Sequence, residues 1–239
     1  MFDVTNSRGS VVFWSLVALA TWMLMLVTYF QWPNCYFKLG AEDDLGENLT
    51  SAFYFLAGFL LLGRCIARMR RNESHLGREV LPILLGLFFV FVGGEEISWG
   101  QRLMGIATPE LVSEHNLQNE LTLHNLKFFD RESILNQHTA LNFFALMMGI
   151  VIPMGYRFVG RFRRLMDMLN FPVLPLSLTM WFVAGIVHGQ TIAKMYSHYT
   201  HTEVKELIFS IGFILFGVSY FREKNLWKPN VEPAESDRR

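Results

Sequence analysis

Six stretches without a single charged side chain, at residues 11–30, 49–63, 80–94, 139–156, 171–187 and 207–221, divide this 239-residue chain into apolar blocks of 15 to 20 residues. A helix rises about 1.5 Å per residue and bilayer hydrocarbon is about 30 Å thick, so a crossing takes about 20 residues. Blocks of this length, with basic linkers between alternate pairs, read as helices dissolved in lipid rather than as buried helices of a water-soluble domain. The sequence therefore predicts an all-α integral membrane protein with a single domain over residues 1–222. Its six transmembrane helices are expected at about 11–31, 48–66, 80–99, 138–157, 171–190 and 203–221, followed by a short disordered tail over 223–239. The first block is too long for the core of a secretory signal, and no small-x-small cleavage site follows Phe30, so it reads as a permanent span.

Charge sets the expected orientation. Fifteen of the 21 basic residues fall on one side of the predicted bundle, as Arg8, the arginines of loops 64–78 and 157–164, and the tail. Basic residues collect in cytoplasmic loops, so both termini are expected in the cytoplasm. The balanced net charge hides this asymmetry, and no basic patch interleaved with aromatics points to nucleic acid. The arginine loops read as topology signals and anionic-lipid contacts. Cys35 and Cys65 fall on opposite sides of the bilayer and lack the spacing of a metal or redox motif.

The remaining ionisable residues collect on the other side, with 13 of the 21 acids and six of the seven histidines. Acids accumulate freely where bases are excluded, and Glu42, Asp43 and Asp44 need no further explanation. The placement of others at predicted helix ends is more specific: Glu47 opens span two, Glu95 and Glu96 close span three, His138 opens span four, His188 closes span five, and Glu203 and Glu206 open span six. A third span entering at Val80 puts Glu95 about 22 Å along its axis, at or inside the outer hydrocarbon boundary. A lone carboxylate there is costly and must face the bundle or a water-filled cavity.

Residues 92–102 read VGGEEISWGQR. Continued as a helix, this stretch places Trp99 and Arg102 within about 40° of Glu95, while Glu96 turns toward another helix. Gly93 and Gly94, away from the Glu95 face, permit close helix packing. Bland alternatives stand beside these readings. Trp99 suits an interfacial anchor, and Thr200-His201-Thr202-Glu203 fits a capping box, which is the favoured reading of Glu203. His198 and His201 are three apart, but neither belongs to a zinc motif, so the histidines matter as a set: helical bundles build metal sites from Glu and His on several helices.

The segment 100–137 is too long for a simple connector. Thr108-Pro109-Glu110 is a helix start, and the sequence after it mixes apolar residues with Asn116, Glu120, His124 and Asn125. It reads as a periplasmic helical or re-entrant lid over the outer mouth, or as an interfacial amphipathic helix. The combination GGEEISWGQR, TPE and NLQNELTLHN resembles a family of uncharacterised bacterial multi-pass inner-membrane proteins, over about residues 92–126. The resemblance implies a bacterial inner membrane and groups Glu95, Glu96, Trp99, Gln101, Arg102, Asn116, Glu120, His124 and Asn125, without bringing a mechanism. A more distant similarity is to the alkaline ceramidase superfamily, whose members bind zinc through histidines on several spans. This chain has six predicted spans instead of seven and no H-x-x-x-H in the last.

These residues point first to a membrane-embedded, metal-assisted hydrolase or transferase acting on a lipid or lipid-linked substrate. Glu95, Glu96, Arg102, Glu120 and Glu206 are the candidate catalytic groups. Trp99, Gln101, Asn116 and Asn125 would bind substrate, and His124, His138, His188 and His201 would hold a divalent metal such as zinc. A proton- or cation-coupled transporter is the second class, and a non-catalytic partner in an envelope complex the third. Haem or quinone binding through His138 and His188 is the fourth.

Overall fold

The computed structural model describes residues 6–40, 45–113, 115–116, 121–123, 137–192 and 200–222. The predicted tail and three of the candidate residues, Glu120, His124 and Asn125, lie outside the described residues. The fold is all-α, with no strand among the described residues. Five helices are long and apolar enough to cross a membrane: Arg8–Gln31, Leu45–Arg70, Leu76–Glu96, Thr139–Phe158 and Thr200–Arg222.

In chain order, α1 is Arg8–Gln31, α2 Pro33–Leu39, α3 Leu45–Arg70 and α4 Leu76–Glu96. Two short helices follow, α5 (Gln101–Met104) and α6 (Glu110–Ser113), the latter at the predicted Thr-Pro-Glu start. α7 (Gln137–Leu146) passes through a π-helical turn, Met147–Val151, into α8 (Ile152–Phe158). Then come α9 (Gly160–Met168), α10 (Thr179–Val187) with a π-helical turn, His188–Ile192, at its end, and α11 (Thr200–Arg222).

Two expected spans are redrawn. The third stops at Glu96 instead of running to residue 99, because Ser98 and Trp99 take up left-handed backbone. The fifth begins at Leu176, not at residue 171, since Pro172 and Pro175 lack the N–H a helix interior needs and hold the preceding residues extended. The resulting apolar helix, Leu176–Ile192, is about 25 Å long by its rise, shorter than the hydrocarbon.

Lipid offers no hydrophobic drive between apolar helices, so close backbone approach and interhelical hydrogen bonds must hold them together. The α3–α4 seam shows both. A Cβ on Gly58 would stand 2.7 Å from the Gly86 carbonyl, and Ser51 Oγ donates to the Gly93 carbonyl at 2.7 Å. On the other side of α3, Gly217 of α11 leaves room for the Ala57 backbone. Phenylalanines fill the centre: Phe213 lies 4.8 Å from both Phe89 and Phe182, centroid to centroid, and 5.5 Å from Phe144. α1 instead turns Val12, Leu16, Met23, Val27 and Phe30 outward, a surface suited to lipid.

The antiparallel packing gives the bundle two chemically different ends. Arginines and a buried Arg68–Glu79 ion pair, 3.0 Å apart, occupy the basic end. The start of α11, the end of α4 and the start of α3 bring Glu203, Glu206, Glu96 and Glu47 to the acidic end.

Candidate functional site at the acidic end

The stretch GGEEISWGQR builds two things at once. After α4 ends, Ser98, Trp99 and Gly100 have φ of 49°, 53° and 76°, a left-handed run that only glycine enters without cost. Each of the two non-glycine residues costs about 1–2 kcal/mol, so surrounding contacts must hold the turn. The indole of Trp99 folds back onto Gly94, where a Cβ would stand 2.7 Å from the ring, and its Nε1 donates to Glu95 Oε1 at 2.6 Å. The other oxygen, Glu95 Oε2, accepts from the Leu123 amide at 2.7 Å. Trp99 therefore meets Glu95 through a reversal of the chain and not, as the helical reading had it, along one helix face.

Gln101 and Asn116, expected to bind substrate, are committed to the backbone of the same segment. Gln101 Nε2 donates to the Ile106 carbonyl (3.0 Å) and Thr108 Oγ1 (2.6 Å), and its Oε1 accepts from the Leu121 amide (2.5 Å). Asn116 Nδ2 donates to the Thr122 carbonyl at 3.0 Å. Together with Glu95, expected to be catalytic, they fasten residues 121–123 to the end of α4. Arg102 lies in α5, and His138 in the first turn of α7, but their side chains are outside the described residues.

Glu96 points elsewhere. Its carboxylate and those of Glu203 and Glu206, one turn apart on α11, offer oxygens that all lie within 4.8 Å of one another. Glu96 is 9% exposed and Glu206 only 2%. The Lys205 ammonium stands 3.4 Å from Glu206, with both side chains 3% exposed. Glu47 of α3 adds a further negative charge to the field at Glu96. Tyr54 of α3 is fully buried within the field of Glu96 and Glu206, and its hydroxyl makes no hydrogen bond among the described residues.

Three carboxylates and one ammonium thus share one enclosed space. The start of α11 favours anions at Glu203 and Glu206, but Glu96 sits at the carbonyl end of α4, where its own helix disfavours a negative charge. In so enclosed a setting protons or a divalent cation would lower the repulsion among the carboxylates. The donor set decides which cation fits. Carboxylates with a nearby phenol suit hard Mg²⁺, Mn²⁺ or Ca²⁺, whereas zinc sites draw on histidine and cysteine.

Two expectations change here. Glu203 was read as a helix cap, but α11 already includes Thr200, so Thr200 lies within the first turn and Glu203 joins the carboxylate cluster. His188 and His201, expected as metal ligands, come together around a tyrosine instead. Trp22 Nε1, a donor only, bonds His188 Nδ1 at 3.3 Å. A neutral His188 then carries its proton on Nε2 and donates it to the Tyr36 hydroxyl at 3.0 Å; that hydroxyl donates onward to His201 Nδ1 at 2.7 Å. The chain of bonds joins α1, α2, the turn after α10, and α11. Both nitrogens of His188 are engaged in these bonds.

No protein-family model matches the chain, and comparison with curated proteins and with solved structures gives no match. The site must therefore be read from its own chemistry. Sequence reasoning missed Tyr36, Trp22, Tyr54 and Lys205, none of which stands in a motif. Glu203 did carry a signal, its spacing of three from Glu206.

Proposed function

We propose that this is a multi-pass protein of a bacterial inner membrane that crosses it six times, the shorter helix Leu176–Ile192 included. Its basic end and both termini would face the cytoplasm, and its acidic end the periplasm. We further propose that it is a hydrolase or transferase for a lipid or lipid-linked substrate, with its centre at Glu96, Glu203 and Glu206. The observation that carries this reading is the convergence of three carboxylates from two helices, their oxygens within 4.8 Å of one another, with Glu96 and Glu206 almost wholly buried. A divalent cation there supplies a Lewis acid for ester or phosphate oxygens. The chain's own part is to hold three hard donors, keep Lys205 beside Glu206 as the balancing charge, and offer a carboxylate as proton acceptor. Tyr54 stands ready to donate a hydrogen bond.

Atomic spectroscopy of the purified full-length protein tests the centre. The expected result is about one equivalent of a hard divalent metal per chain, lost in Glu96→Gln and Glu206→Gln and kept in Glu95→Gln. Equal metal content in all three variants and the parent sinks the reading.

The enclosed Lys205–Glu206 pair favours a second reading, a proton- or cation-coupled carrier, since buried ionisable pairs of this kind serve as loading sites. Proteoliposomes under an imposed pH gradient separate the two. Gradient-driven uptake that Lys205→Ala abolishes supports the carrier, and turnover without any gradient supports the enzyme.

A further inference from the structure

At the opposite end of the bundle a cleft of about 610 Å³ opens between the last turns of α3 and α11. Arg64, Arg68, Arg71 and Arg222 line it, with Glu73 the one acid among the described lining residues. Two of the four guanidiniums are already oriented by the fold. Arg64 lies over the Tyr220 ring, 5.4 Å from its centroid, and donates to the Phe221 carbonyl at 2.9 Å. Arg68 is held 3.0 Å from Glu79. The other two are loosely engaged: Arg71 meets Glu73 only at 3.7 Å with 69% of its side chain exposed, and Arg222 is exposed. Among the described residues, four guanidiniums thus stand at this cleft against Glu73 in its lining and Glu79 behind Arg68.

Its position matters as much as its charge. Both helices that form it end here as long apolar spans, so the cleft lies at the level of lipid headgroups. One of its walls is apolar: Phe221 is 48% exposed, and Gly63 of α3 lies close enough that a Cβ there would stand 3.8 Å from the Phe221 ring. On the same flank of α3, helical spacing puts Leu60 and the half-exposed Leu56 in line with Gly63, leading from the cleft toward the middle of the span. A free inorganic anion has no use for such a wall, whereas a phospholipid needs both parts.

We propose that this cleft binds the headgroup of an anionic phospholipid. The phosphate sits among the guanidiniums, whose planar forks match phosphate oxygens, and an acyl chain follows Phe221 and Leu60. The site is independent of the chemistry at the acidic end.

Native mass spectrometry of the full-length protein in detergent, titrated with phosphatidylglycerol or phosphatidylcholine, measures the preference. Phosphatidylglycerol is expected to bind the parent protein, and Arg71→Gln/Arg222→Gln to weaken that binding by more than about tenfold. The charge-matched control Arg8→Gln/Arg161→Gln should leave it within about twofold of the parent. Arg71 and Arg222 are exposed, so the double variant should fold; if it does not, Arg222→Gln alone serves, with a loss of several-fold expected. Equal binding of the two lipids, or equal loss in the control and the cleft variant, overturns the proposal. Inorganic phosphate in a separate arm should not displace phosphatidylglycerol; displacement at low millimolar concentration would make the cleft a free-anion site and also overturn it.

Discussion

Glu95 and Glu96 are adjacent, yet a turn of about 100° at the end of a helix gives them unrelated work. Glu95 accepts two hydrogen bonds, from the Trp99 indole and the Leu123 amide, and so fastens a distant piece of chain. Hydrogen bonds to a charged acceptor contribute about 1.5–3 kcal/mol each. Trp99→Phe keeps the ring against Gly94 but removes the donor, so it is expected to lower stability by about that amount and to speed protease cleavage near residue 121, with metal content unchanged. Melting in detergent and timed proteolysis read the two effects. Tyr36 allows a prediction about pH. It lies in α2, beyond the end of α1, and burial, aided by Tyr29 nearby, raises its phenol above the usual value of about 10. A raised phenol pKa means that the neutral, hydrogen-bonded form stabilises the fold fully below about pH 10, and that this contribution fades only as pH climbs through the folded value. An ultraviolet alkaline titration should show a late-ionising tyrosine phase whose amplitude Tyr36→Phe lowers by about one residue's worth; an unchanged late amplitude would exclude Tyr36 as a contributor.

At the scale of elements, small residues decide where helices touch. Gly58→Ala places a methyl 2.7 Å from the Gly86 carbonyl, a backbone atom that cannot step aside, so α3 and α4 must separate. Overpacking of this kind costs about 1–3 kcal/mol, and the expected fall in melting temperature should be absent in Gly9→Ala, where nothing lies within 4 Å. The elements were legible in the sequence to the extent that lipid dictates them. Uncharged blocks of spanning length gave five long helices, because an apolar stretch in hydrocarbon has little choice but to satisfy its backbone as a helix. Where local chemistry opposed that rule, the reading slipped, as at Pro172 and Pro175 before the fifth helix and at the left-handed turn after Glu96. The site was half legible for the same reason. An acid at the end of a span announces itself by its cost, which picked out Glu96 and Glu206. Tyr54, Tyr36 and Trp22 look like ordinary aromatic packing until the helices are assembled around them. His188 and His201 were singled out by residue type, but a tyrosine between them changed what their nitrogens do.

For the whole molecule, the number of crossings sets the side on which each terminus lies. The five long helices alone would put the termini on opposite sides of the membrane. The reading with six returns them to one side, and it rests on Leu176–Ile192 spanning although it is about 25 Å long. A short span is tolerated when the bilayer thins locally or flanking side chains reach out to the interface, and the polar helix α9, with Arg161, Arg163 and Arg164, lies just before it to do so. Arginine placement argues the same way, since the cytoplasmic side gathers basic residues and both the α3–α4 turn with its flanking helix ends (Arg68, Arg70, Arg71, Arg78) and the stretch from the end of α8 through α9 (Arg157, Arg161, Arg163, Arg164) are rich in them. Fusions of a cytoplasm-active reporter to each terminus should therefore both be active, and a periplasm-active reporter should be silent at both. Cys35 supplies an internal check. It is exposed on α2 at the acidic end, so a membrane-impermeant maleimide added to spheroplasts should label it, while buried Cys65 should react only after denaturation. Opposite reporter signs at the two termini would leave five crossings. Labelling of Cys35 from the cytoplasmic face alone would invert the bundle, moving the carboxylate cluster to the level of the inner leaflet.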